Sequence, residues 1–127
     1  MAANVLIVLG AAFAAAAVGL GAFGAHGLEA RLSERAIATW QTAVQYHFVH
    51  GLGLLLVAAL WERVHPSWGL AAALALASGI VLFSGSLYAL ALGAPRLLGA
   101  VAPIGGTLFI LGWILLALGA FLRPGAG

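Results

Sequence analysis

Four apolar runs fill most of this 127-residue chain, near Val5–Phe23, Val44–Leu60, Trp68–Leu92 and Val101–Leu122. A helix needs about 20 apolar residues, at about 1.5 Å each, to cross the hydrocarbon of a bilayer. Nothing water-soluble needs four such runs in so short a chain. Short connections force neighbouring helices to run antiparallel. The fold class is therefore an all-α membrane protein, with four transmembrane helices in an up-down antiparallel bundle. The helices are predicted at about 4–25, 34–63, 68–92 and 101–122, in one transmembrane domain over 1–127.

Charge supports the same class. Apolar residues make up 65% of the chain and charged residues 6%, the reverse of the balance in a water-soluble domain. Lys and Asp are absent; the charges are Arg31, Arg35, Arg63, Arg96, Arg123, Glu29, Glu34 and Glu62. All fall between or just outside the apolar runs, where a charge costs least. The formal net charge of +2 forms no basic stripe, so nucleic acid is not an expected partner. Membrane lipid is, with a modest pull of the loops toward anionic headgroups. With no Cys in the chain, disulfides, thiolate metal sites, Cys nucleophiles and Cys-anchored haem or iron–sulfur centres are excluded. Met1–Gly24 carries no Lys or Arg before its apolar stretch. That stretch also exceeds the h-region of about 7–15 residues in a signal peptide, so it reads as the first spanning helix.

Punctuation residues mark the ends. Ser33 is an N-cap candidate for helix 2, with Glu34 in the first turn. The opening turns of helix 2 are amphipathic, with Trp40 as an interfacial anchor. His65-Pro66-Ser67 makes a tight turn, Gly93-Ala94-Pro95-Arg96 ends helix 3, and Pro103 sits in the first turn of helix 4. Both termini are expected on the same side. Arg31, Arg35 and Arg96 face Arg63, Arg123 and the N-terminal amine across the membrane, a small bias toward termini outside. Gly79, Gly85, Gly105, Gly106 and Gly112 are expected to line helix contacts, because helices associate in lipid by close backbone approach.

Helix 2 also holds the oddest stretch, with Gln41, Gln45, Tyr46, His47 and His50. At about 100° per residue, Gln41 and Gln45 share one face, and Tyr46, His47 and His50 spread over roughly the opposite one. Such a helix is expected inside the bundle or against a wet cavity. Antiparallel threading brings His26, Ser84, Ser86, Tyr88 and Thr107 into the same leaflet. The candidate polar cluster is therefore His26, Gln45, Tyr46, His47, His50, Ser84, Ser86, Tyr88 and Thr107. The opposite leaflet is nearly all Ala, Leu, Val and Ile.

Four readings of that cluster stay open. It is a structural hydrogen-bond network, a pocket for a lipid headgroup or quinone, a metal or haem site through His47 and His50, or a proton relay. Catalysis has little support: the three Glu sit at helix ends, and Ser84 or Ser86 with His47 or His50 lacks an orienting carboxylate. No phosphate loop, dinucleotide fingerprint or zincin motif occurs. No catalytic residue or metal-ligand set is assigned, and the cofactor is unknown.

Several segments in order carry a resemblance. They are Gly21-Ala-Phe-Gly-Ala-His-Gly-Leu28, Trp40-x-Thr-Ala-x-Gln-Tyr-His-x-x-His50, Gly79-Ile-x-Leu-Phe-Ser-Gly-Ser-Leu-Tyr88, Pro103-Ile-Gly-Gly106 and Gly112-Trp113. The chain resembles the domain-of-unknown-function family 423, the YgdD-like small integral membrane proteins, over almost its whole length. The resemblance implies a four-helix, multi-pass protein of the bacterial inner (plasma) membrane and carries no mechanism. The expected function is a non-enzymatic membrane module, either an accessory subunit or a lipid or quinone binder. The alternative is a His-dependent redox, haem- or metal-binding, or proton-handling protein. Besides lipid, the expected partners are an intramembrane protein or a second copy of the chain.

Overall fold

Helix boundaries sit where capping chemistry puts them. The computed structural model describes residues 1–125 and contains four helices long and apolar enough to span a membrane. These are α1 (Ala2–Leu28), α2 (Glu34–Ala59), α3 (Pro66–Ala91) and α4 (Arg96–Phe121). Ser33 adopts extended backbone and its Oγ accepts from the Ala36 N–H at 3.1 Å, which satisfies one of the free amides at the start of α2. Leu60 leaves helical geometry and the chain tightens into a 3-10 turn at Trp61–Arg63, so α2 ends before the predicted residue 63. Pro66 opens α3, two residues ahead of Trp68, since a first-turn position needs no N–H. Gly93, at φ +96, closes that hairpin end in a left-handed conformation that a side chain would strain. α4 begins with a 3-10 turn, Arg96–Ala100, ahead of its regular helix Ala102–Phe121.

Two helices contain a π turn. One is the last turn of α1, Gly24–Leu28; the other interrupts α3 at Ile80–Ser84. A π turn is one residue wider than an α turn and re-aims the side chains beyond it.

In space, α1 packs chiefly on α2, α2 on α3, and α3 on α4. Leu54, Val57 and Leu76 are fully buried at the centre. Glycine sets the closest approaches. A Cβ on Gly10 would lie 3.0 Å from the Gly51 carbonyl oxygen, and one on Gly51 would lie 3.2 Å from the Ala14 nitrogen. Between α3 and α4, a Cβ on Gly79 would stand 2.5 Å from Phe109 Cδ1 and one on Gly112 2.6 Å from Leu76 Cδ2. A Cβ on Gly105 would collide with the Phe83 backbone nitrogen. Gly85 and Gly106 depart from expectation. Among the described residues, a Cβ on exposed Gly85 would meet nothing within 4 Å beyond its own helix backbone and chain neighbours, and one on Gly106 would meet only the Phe83 ring, at 3.7 Å. The buried positions of α4 run Ala102, Gly105, Phe109, Gly112, Leu116, Gly119. Gly106 is one step off that stripe, and Gly85 is one step off Ser84 and Ser86 on α3.

Candidate functional site

The inward stripe of α2 decides what the site contains. Trp40, Ala43, His47, His50, Leu54 and Val57 are buried, at the three- and four-residue spacing of one helix face. The π turn of α3 then brings Ser84 against α2, where its Oγ donates to the Ala43 carbonyl at 2.8 Å. Ser86 Oγ donates to the Phe83 carbonyl at 2.9 Å, supplying a partner within the disturbed stretch of a helix that has no water to turn to. His47 Nδ1 is hydrogen-bonded to the Tyr88 hydroxyl at 2.9 Å. Tyr88 packs in turn on the Trp40 ring, 4.7 Å away, and Trp40 Nε1 donates to the Leu20 carbonyl at 2.9 Å.

His50 is held on three sides. Its Nδ1 lies 2.7 Å from the Tyr46 carbonyl, and a carbonyl only accepts, so Nδ1 carries the proton. Nε2 is then bare and accepts from Trp113 Nε1 at 3.1 Å. The ring stacks on Phe109 at 3.5 Å and 10°. Both nitrogens are engaged, which leaves no lone pair for a metal. His47 differs: its Nε2 is enclosed and has no hydrogen-bond partner among the described residues. The Phe13 ring meets the His47 ring edge-on at 5.7 Å. Among the described residues, no three His, Asp or Glu side chains gather closely enough to hold a metal ion.

The structure thus brings together His47, His50, Ser84, Ser86 and Tyr88, but not the whole predicted cluster. His26 is exposed in the π turn of α1, where Gly24 and Leu28 take the inward positions. Thr107 is exposed, two residues from each of the inward Gly105 and Phe109, and its Oγ1 donates to its own helix at the Pro103 carbonyl, 2.8 Å away. Gln41 and Gln45 also point outward, because inward Trp40, Ala43 and His47 bracket them. Tyr46 sits at the rim, 41% exposed, with its ring 4.7 Å from Phe83. Trp113 belongs to the site and was not among the candidates. The signal available for it is position: it lies well inside α4, whereas membrane Trp favours the interface.

Outward Gln45 is not on a flat wall. It lines a groove of about 500 Å³ between α1 and α2, otherwise walled by Val18, Gly21, Val44, Phe48 and Val49. Gln45 is the polar side chain in that apolar lining.

A protein-family model described as "Protein of unknown function (DUF423)" matches residues 20–106, more than half of the chain. The chain belongs to the DUF423 family. Bacterial relatives named UPF0382 membrane proteins are similar along nearly their full lengths. One from Staphylococcus saprophyticus is 49% identical over 120 residues, 93% of this chain and 98% of the relative. One from Staphylococcus epidermidis is 50% identical over 117 residues, 91% and 93% of the two chains. YwdK of Bacillus subtilis is 47% identical over 118 residues, 92% and 96%. No solved structure matches the chain significantly. The DUF423 match takes in all of α2 and α3, and so His47, His50, Ser84, Ser86 and Tyr88; Trp113 falls outside it.

Proposed function

We propose that this DUF423 protein is a non-enzymatic module of the bacterial inner membrane that holds a carbonyl-bearing amphiphile in the groove between α1 and α2. The occupant is a quinone or the ester region of a glycerolipid. Gln45 carries the reading: its amide faces the lipid side of an otherwise apolar groove of about 500 Å³. An amide with no hydrogen-bond partner in hydrocarbon is costly, and a ligand carbonyl is the partner such a groove admits. The buried cluster behind it supports the same division of labour. His50, Ser84, Ser86 and Tyr88 are bonded within the protein and hold helix register.

Native mass spectrometry of the purified protein, with lipid extraction and an absorbance spectrum of the same sample, tests the proposal. A stoichiometric quinone or glycerolipid is expected. Gln45→Leu should reduce its retention about 3- to 30-fold, for a membrane hydrogen bond of about 0.6–2 kcal/mol. Unchanged retention in Gln45→Leu would reject the groove. An empty monomer that cross-links through Gln45 to a membrane protein would replace the ligand with an accessory-subunit role.

One observation favours a second reading, a His-dependent proton-handling or redox role. It is the unpartnered Nε2 of His47 beside the Tyr88 hydroxyl. A Soret band, bound metal or pH-dependent activity lost in His47→Phe would establish it over the binder.

Both termini are assigned to the outside, because four crossings return the chain to its starting side and Arg31, Arg35 and Arg96 lie on the other. A C-terminal alkaline phosphatase fusion is expected to be active. An inactive fusion, with a fluorescent cytoplasmic reporter in the same place, would invert the topology.

A further inference from the structure

The end of the bundle where α2 and α4 finish and α3 begins has a polar locus of its own. Two hydrogen bonds build it. The His65 N–H donates to the Gly119 carbonyl at 2.9 Å, and Arg123 Nη1 donates to the Val64 carbonyl at 2.9 Å. Gly119 permits the approach, since a Cβ there would stand 2.8 Å from both Trp68 Cβ and Val64 Cγ1. The tail of α4 is thereby drawn over the α2–α3 turn. Beside this seam lies a cavity of about 380 Å³ lined by Trp61, Glu62, His65, Pro66, Arg123 and Pro124. That volume falls within the range of small-ligand sites, about 300–1,000 Å³.

The lining is bipolar. A guanidinium has five N–H donors, and the bond to Val64 engages one of those on Arg123. Glu62 is exposed and brings a carboxylate to the same cavity. Among the described residues His65 Nδ1 is enclosed without a partner, so Nε2 is the nitrogen of that ring able to meet a ligand. The two prolines have fixed φ and make stiff walls. Helix ends and Trp61 place the cavity at headgroup level, where membrane Trp concentrates. A mostly apolar groove of about 420 Å³ runs between α2 and α4 along Leu56, Leu60, Val64 and Leu116, with Arg63 in its lining as a second guanidinium near the same turn.

We infer that this cavity binds the headgroup of a zwitterionic aminophospholipid. Arg123 donates to the phosphate, Glu62 accepts from the ammonium, and one acyl chain follows the groove between α2 and α4. Guanidinium geometry suits a phosphate. The carboxylate in the same lining disfavours a headgroup that is only anionic. A quaternary ammonium has no N–H to give to Glu62.

The test uses full-length protein, delipidated in mild detergent and mixed with equal amounts of phosphatidylethanolamine and phosphatidylglycerol, read by native mass spectrometry. One phosphatidylethanolamine per chain is expected, in clear excess over phosphatidylglycerol. Arg123→Gln should lower its retention about tenfold, the loss of one charge-assisted hydrogen bond. Glu62→Gln should remove the preference between the two lipids. Because Arg123 also ties down Val64, its variant is checked by thermal unfolding. Glu62→Gln, at an exposed side chain, keeps the test decisive if that variant unfolds. Equal retention of both lipids by the wild type, or an undiminished preference in Glu62→Gln, overturns the inference. So does inorganic phosphate displacing the lipid from wild type and Glu62→Gln alike, which would leave a plain anion site.

Discussion

Alanine at position 105 is expected to lower the thermal unfolding midpoint in detergent more than alanine at any of the other glycines between α3 and α4. The added methyl would overlap the Phe83 backbone nitrogen and come within 2.8 Å of its Cα. Backbone cannot rotate away as a side chain can, so α3 and α4 must separate along the contact that also includes Gly79 against Phe109 and Gly112 against Leu76. Overpacking of this kind costs about 1–3 kcal/mol, and helices in lipid have little besides close packing to hold them together. The comparison that checks it is Gly85→Ala, where nothing lies within 4 Å. Gly to Ala inside a helix ordinarily gains up to about 1 kcal/mol, so that variant should melt at the same temperature or higher. Equal losses at both positions would refute the packing described for α3 and α4.

His50→Leu is the second large effect. It leaves the Trp113 N–H, which now reaches His50 Nε2 at 3.1 Å, without an acceptor. It also removes the ring stacked at 3.5 Å on Phe109. Within the membrane a stranded donor has no water to turn to, and leaving one unpaired costs about 1–3 kcal/mol. The loss should appear as a lower melting midpoint and as a change in tryptophan emission that vanishes in a Trp113→Phe background. His47→Phe is the informative contrast. It deletes a nitrogen that already lacks a partner along with one hydrogen bond to Tyr88, so its cost should be smaller. A His47→Phe loss as large as that of His50→Leu would mean that the enclosed Nε2 has a partner after all.

Much of the frame was legible in the residues. Ser33 as N-cap, the His65-Pro66 turn and the Gly93 stop are local signals, and each helix end follows from the backbone groups near it. The membrane class follows from run length alone. The candidate site was legible only in part. His47, His50, Ser84, Ser86 and Tyr88 were foreseeable as residues of one leaflet, yet which side of each helix they occupy depends on the buried stripe. Gln45 and Thr107 have the same polar character as Ser84 and the opposite fate, because each falls between inward positions of its helix. Gly85 and Gly106 look like packing residues by composition and are not, for the same reason. The π turn at Ile80–Ser84 shifts the phase of α3 in mid-span, and a regular period of 3.6 residues cannot anticipate it.

The sequence by itself determined the solvent, the number of spans and, to within a few residues, their ends. Those depend on apolar length and on capping, both properties of contiguous residues. Tertiary structure alone decided rotation about each helix axis: that the shared face of Gln41 and Gln45 turns outward, which of five candidate glycines meet a neighbour, and that Trp113 of α4 is the donor to His50 of α2. It also joined Arg123 to Val64 across 59 positions. In a chain apolar nearly all round, the hydrophobic pattern carries almost no information about rotation. The fit of glycine notches to facing side chains and the pairing of a few polar atoms set it instead.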